Sequence, residues 1–97
     1  MALVIEWKTE AEDQLDQSLH YFLANFSERT ASTFYAMVLE RLDTLSRYPE
    51  SGRQVGNEVL VRYALIKKSH YVYYTFSDSA LTVIGLYGTR QEDNPYL

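Results

Sequence analysis

The chain has no cysteine, only two prolines, four glycines and two histidines in 97 residues. Without cysteine it can form no disulfide and offers no thiolate as nucleophile or metal ligand. A small domain without such staples is expected in a reducing compartment, the cytoplasm. His20 and His70 fall in different segments with no ligand spacing, so no metal site is expected. A surface pair with Asp16 is the plain reading of His20, and a solvated turn position that of His70, with a general base as its alternative. No apolar run reaches the ~18 residues that would cross a bilayer, so no membrane role is expected. The opening MALVIEWKTE lacks the basic stretch of a secretory leader. There is no Gly-x-Ser-x-Gly and no glycine-rich loop ending in Gly-Lys-Ser/Thr, so no cofactor is implied.

What is present is globular. Hydrophobic residues make up 46% and charged residues 23% of the chain, a composition that suits one domain over 1–97. The net charge of −4 argues against nonspecific phosphate binding. That charge is uneven. Through Glu50 there are four basic and nine acidic residues; from Ser51 on there are five basic and four acidic. Any positive surface is therefore expected in the second half.

The second half carries three runs rich in Val, Ile, Leu, Tyr and Phe: Val59–Lys67, Tyr71–Phe76 and Leu81–Gly88. Such residues suit strands. Gaps of about three residues between them allow only hairpins, because a parallel crossover needs about a dozen. The runs predict a three-stranded antiparallel meander. In the third, alternation puts Leu81, Val83 and Tyr87 on one face and Ile84 and Leu86 on the other. Nine tyrosines, five of them in or near the meander, read first as strand and core residues and second as interface anchors.

The first half supplies the cover such a sheet needs. Ala2–Trp7 reads as a short strand at a sheet edge or paired with the meander. Thr9 and Glu12 have capping-box spacing, opening a helix. Ala11, Leu15, Leu19, Phe22 and Phe26 follow at helical spacing, with Leu23 beside them. Asn25-Phe26-Ser27 breaks that helix, and Ser27 is placed to cap the next. Ala31, Phe34, Tyr35, Val38, Leu42 and Leu45 form a second stripe, stopped by Pro49. Two such helices make an antiparallel hairpin whose apolar stripe lies on the sheet, through Leu15, Leu19, Phe22, Phe34, Val38 and Leu42. Tyr48–Gly56 reads as a turn-rich linker, and the polar tail Thr89–Leu97 as mobile. The fold class expected is α+β.

Four local patterns in this order resemble the RelE/ParE toxin superfamily of bacterial toxin–antitoxin modules. They are Tyr48-Pro49-Glu50-Ser51-Gly52-Arg53-Gln54-Val55, like the family's Pro-x-x-Gly-Arg-x-Val; Val61-Arg62-Tyr63-Ala64-Leu65; the aromatic His70-Tyr71-Val72-Tyr73-Tyr74; and Thr89-Arg90-Gln91 after the last strand. The first and last look more like the ParE branch. The resemblance implies a toxin of a type II, plasmid-stabilisation module. Its partner would be a cognate antitoxin, of ribbon–helix–helix type with a disordered toxin-binding segment. In the ParE branch the target implied is DNA gyrase, with growth arrest as the outcome and no catalysis by the toxin itself. The target-binding residues are then Arg62, Tyr87, Arg90 and Tyr96. In the RelE branch the target is ribosome-bound mRNA, and Arg62, Arg90 and Tyr96 become catalytic candidates. Ala64 and Tyr71 stand where that branch carries cations, which favours the gyrase reading. Solvated edge charge for Arg62 and Arg90, core packing for Tyr87 and disorder for Tyr96 are the plain alternatives, as is a non-toxic interaction module of the same fold.

Overall fold

A computed structural model describes residues 2–56 and 58–97. The two amphipathic stripes form helices α1, Thr9–Asn25, and α2, Glu28–Arg47. Ser27 caps α2 as its sequence position predicts: its hydroxyl accepts the Thr30 N–H at 3.1 Å, satisfying one donor of the open first turn. At the other end Tyr48 leaves helical angles (φ −131°, ψ 68°) ahead of Pro49, as a residue before proline does.

The Thr9–Glu12 capping box is not formed. Lys8 is the N-cap, with no side-chain cap, and Thr9 is already helical. The reason is a strand that feeds the helix directly. The Lys8 N–H donates to Val83 O at 2.9 Å and the Lys8 carbonyl accepts Glu12 N at 3.0 Å, so the backbone is oriented by sheet pairing without a side-chain cap. Glu10 and Glu12 still lie in the first turn, where the helix dipole favours anions.

The strands are β1 Val4–Trp7, β2 Arg53–Val55, β3 Glu58–Ile66, β4 His70–Phe76 and β5 Ala80–Gly88. They make one sheet in the order β1-β5-β4-β3-β2. The expected meander is β3-β4-β5. The N-terminal strand joins it in parallel, Val4 opposite Ala80 and Trp7 opposite Val83. The linker expected to be turns alone contains a short 3₁₀ turn, Pro49–Ser51, and then β2. β2 is a three-residue edge, Arg53 opposite Tyr63 and Gln54 opposite Arg62, too short and too polar to announce itself by alternation.

β5 departs from simple alternation. Tyr73 faces Gly85 but Tyr74 faces Val83, so Ile84 is an extra residue, a β-bulge. The bulge reverses parity along the strand. Leu81, Val83 and Leu86 all reach the helix-side core, while Tyr87 stands with Tyr73 on the opposite face. Strict alternation had grouped Tyr87 with Leu81 and Val83.

The core lies between the hairpin and one sheet face. Leu15, Phe34, Val38 and Leu42 pack with Val72, Tyr74 and Val83, and Leu19 and Phe22 close its margin. The α1 stripe outruns the sheet at its far end, leaving Leu23 48% and Phe26 63% exposed. Among the described residues no helix is long and apolar enough to cross a membrane.

Leu42 is 1% exposed in this core, so Leu42→Asp buries a carboxylate without a partner. A loss of about 4 kcal/mol or more is expected, a large share of a small domain's stability. Thermal denaturation followed by circular dichroism should show no cooperative transition at 25 °C; a melting curve like the parent's would contradict this packing.

Candidate functional site

The Pro-x-x-Gly-Arg pattern has a physical basis. Tyr74 is fully buried in the middle of β4. Its hydroxyl donates to Pro49 O at 2.6 Å and accepts the Gly52 N–H at 3.0 Å. A Cβ built at Gly52 would lie 2.2 Å from that oxygen, so only glycine admits the approach. Burial raises the Tyr74 pKa; the Gly52 N–H, Arg62 and Arg41 oppose that rise. Arg62 acts on the same turn. Its Nη1 donates to Glu50 O at 3.1 Å and Gly52 O at 2.7 Å. Its strand parity puts it with Ala64 and Ile66 on the helix side.

The other sheet face is a layer of phenols. Tyr63, Tyr71 and Tyr73 contact one another with ring centroids 5.6–6.0 Å apart. Tyr87 meets Tyr73 edge-on at 6.0 Å, leaning over Gly85, where a Cβ would lie 2.8 Å from the Tyr87 ring. The tail expected to be mobile is folded onto this layer. Tyr96 stacks on Tyr73 at 4.3 Å with 24° between the planes. The Asn94 amide donates to the Tyr73 hydroxyl at 2.9 Å, and Asn94 Oδ1 accepts Tyr96 N at 2.9 Å. Asn94 is only 5% exposed. Burial raises the Tyr73 pKa, and the Asn94 bond partly offsets it.

At the far end of the sheet, α1 and the ends of β3 and β5 border a cleft holding Lys67, Lys68, His70 and Arg90. His70 is not a solvated turn residue. Its ring lies 4.5 Å from Phe34 and 6.1 Å from Phe22. Nε2 is 3.4 Å from Ser18 Oγ and Nδ1 is 2.9 Å from Ser69 Oγ. Burial lowers its pKa. His20 is bonded to the Asp16 backbone carbonyl at 2.8 Å, not to the carboxylate. No group of three or more His, Asp or Glu side chains among the described residues could hold a metal.

The structure thus brings Tyr87 and Tyr96 together, with ring centroids 6.3 Å apart. Exposed Arg90 lies between them in the chain and borders the cleft. Arg62 does not join them: it is turned to the helix side and holds the turn after α2. Sequence reasoning named Tyr73 only among the meander tyrosines and missed Gly85 and Asn94. Only the bulge and the docked tail give those residues their places, and neither has a local pattern.

By sequence, no curated protein matches the chain. The profile described as the ParE toxin of type II toxin-antitoxin system, parDE, matches residues 5–93. Among solved structures, a chain of the chromosomal ParDE TA system from P. aeruginosa is similar with a TM-score of 0.75 and 11% identity, over 90% of this chain and 96% of that one. The YoeB dimer from Staphylococcus aureus gives 0.65 and 17%, over 90% and 97%. The YoeB/ParE toxin from Agrobacterium tumefaciens gives 0.63 and 15%, over 89% and 98%. At these identities the likeness is one of fold.

Two measurements check this geometry. Tyr74→Phe leaves Pro49 O and Gly52 N without their partner, and should cost about 1–3 kcal/mol in urea unfolding; an unchanged midpoint would contradict the bridge. For His70, a lowered pKa means the unfolded chain binds the proton more readily. That stability is whole above the ordinary value of about 6.5 and is lost as pH falls through it toward the lowered one. The parent should therefore lose more stability between about pH 7 and pH 5 than His70→Phe does; parallel curves would contradict the burial.

Proposed function

The chain belongs to the ParE toxin family of type II toxin–antitoxin systems, and from that premise we propose that it poisons DNA gyrase in the cytoplasm and is neutralised by a cognate antitoxin. The observation that carries gyrase over ribosome-bound mRNA is the commitment of Arg62 to two backbone carbonyls. Metal-free RNA cleavage needs a base, an acid and preorganised cations around the reacting phosphate. Ala64 is packed in the core and Tyr71 in the phenol layer, and Arg62 is spent on holding a turn. Arg90 is left as an exposed cation at the end of the sheet, which suits a binding surface better than an acid–base set.

A gyrase poison breaks no bond itself. It has only to bind the DNA-cleaved state of the enzyme better than the resealed one, and the population follows. Arg90 and Tyr96 are the anchors in this reading, with Tyr87 meeting Tyr96 edge-on. Arg62 contributes by fixing the turn after α2. The antitoxin is of ribbon–helix–helix type, and its disordered segment folds on the toxin. Exposed Tyr35 and Leu39 on α2 offer it apolar surface. The module serves plasmid stabilisation through growth arrest.

Purified protein added to gyrase and relaxed plasmid should abolish supercoiling and accumulate cleaved DNA. Arg90→Ala should weaken this about tenfold, the equivalent of ~1.4 kcal/mol. Expression alone should arrest growth, and co-expression of the antitoxin should restore it. If gyrase is untouched while ribosome-bound mRNA is cut at the A site, the nuclease reading replaces this one, with Arg62, Arg90 and Tyr96 as its catalytic candidates.

A further inference from the structure

The cleft beside α1 measures about 980 Å³, at the upper end of the roughly 300–1,000 Å³ typical of ligand sites. Its lining is chemically one-sided. One end is aromatic, with Tyr21, Phe22 and Phe26; the other is basic, with Lys67, Lys68 and Arg90. Among the described residues no carboxylate lines it, in a chain with thirteen Asp and Glu and a net charge of −4. α1 itself carries Glu12, Asp13 and Asp16, yet it presents Gln14, Gln17, Ser18 and Tyr21 to the cleft.

The cations are held ready. Lys67 sits in the left-handed region at φ 52°, where a lysine is uncommon. The turn is tied to the end of β5: Thr89 N donates to Ser69 O at 2.8 Å, and Thr89 Oγ1 to Lys68 O at 3.0 Å. Among the described residues none of the three cations forms an ion pair. Tyr21 and Phe26 are 56% and 63% exposed at the aromatic end, large apolar surface without a cover.

We propose that this cleft receives an acidic segment of a partner protein, its carboxylates on Lys67, Lys68 and Arg90 and a large apolar side chain on Tyr21 and Phe26. The inference rests on the reading that a partner protein neutralises the chain, and it names the surface and the chemistry. A short acidic peptide suits the site better than a nucleic acid. A peptide needs only three cations and places an apolar group beside them, whereas a polyanion must approach a molecule that is itself net negative. Occupation has a proton-linked consequence. His70 faces Ser18 and Phe22 from α1, Phe34 from α2, and Lys67, Lys68 and Arg90 around the cleft, with no carboxylate from any of them. Guest carboxylates become its nearest anions and favour its charged form.

A short synthetic peptide of glutamates interspersed with leucine and tryptophan is the probe, and its twin has glutamine at every glutamate. In two-dimensional NMR of the full chain, the acidic peptide should shift the amide signals of Tyr21, Lys68 and Arg90, bind more weakly as salt rises, and raise the His70 imidazole pKa. The twin should bind at least about tenfold more weakly. Lys67→Glu with Lys68→Glu, both exposed and away from the core, should abolish binding without altering the melting temperature. Equal binding of the twin, shifts confined to the Tyr35–Leu39 face, or stronger competition at the cleft by a single-stranded oligonucleotide would each overturn the proposal. Gyrase inhibition is read in a separate assay, so its failure would overturn the target reading and leave this one standing.

Discussion

One buried phenol organises this molecule. Tyr74 lies at the middle of the sheet and carries a polar atom into a fully buried site. Such an atom must be satisfied there or cost the full loss of its hydration. It is satisfied by the backbone of the turn that follows α2, through Pro49 O and Gly52 N. That requirement explains a run of residues at once. Pro49 ends the helix and leaves its carbonyl in place, Gly52 lets the chain pass against the ring, and Arg62 gathers the carbonyls of Glu50 and Gly52. β2 begins at the next residue, already positioned to pair with β3. The last turn of the hairpin and the edge of the sheet are thereby fixed relative to one another.

The same sheet has a second apolar face, and the hairpin cannot cover both. The chain covers it with its own tail and with tyrosine, a residue that offers apolar area and a polar rim together. The bulge in β5 makes this possible by moving Tyr87 out of the core and into the phenol layer. Gly85 then leaves room for the Tyr87 ring, beside which Tyr96 settles. The charges are placed by a comparable division. Carboxylates concentrate on the outer surfaces of the helices, while Lys67, Lys68 and Arg90 gather where α1 meets the sheet ends.

Much of the fold was readable before the structure, because its signals are local. Helical spacing marked both helices, a serine marked the start of α2 and a proline its end, and three strand-forming runs separated by short gaps could only be a meander. What escaped has one cause in common: each feature depends on a partner distant in sequence. The start of α1 is set by β1 pairing with β5, not by Thr9. The parity of β5 is set by a bulge that no alternation reveals. β2 exists because Tyr74 and Arg62 hold its preceding turn. The tail is ordered by Tyr73, and Arg62, which reads as a surface cation, is a backbone clamp. Among the proposed anchors, Tyr87, Arg90 and Tyr96 were named from resemblance; their geometry relative to Gly85 and Asn94 was invisible.

The parallel pairing of β1 with β5 also sets a timetable. β1 leaves the ribosome more than seventy residues ahead of its partner strand, at roughly 5–20 residues per second. Until Ala80–Gly88 has emerged, the hairpin has no complete sheet to lie on, and its apolar stripe stays open to chaperones, to other nascent chains or to a binding partner already present. Pairings this distant in sequence are also slow to form, because the loop between them must close first. The molecule therefore acquires its functional surface only once β5 has been made, which leaves an interval in which a partner made beforehand can reach it first.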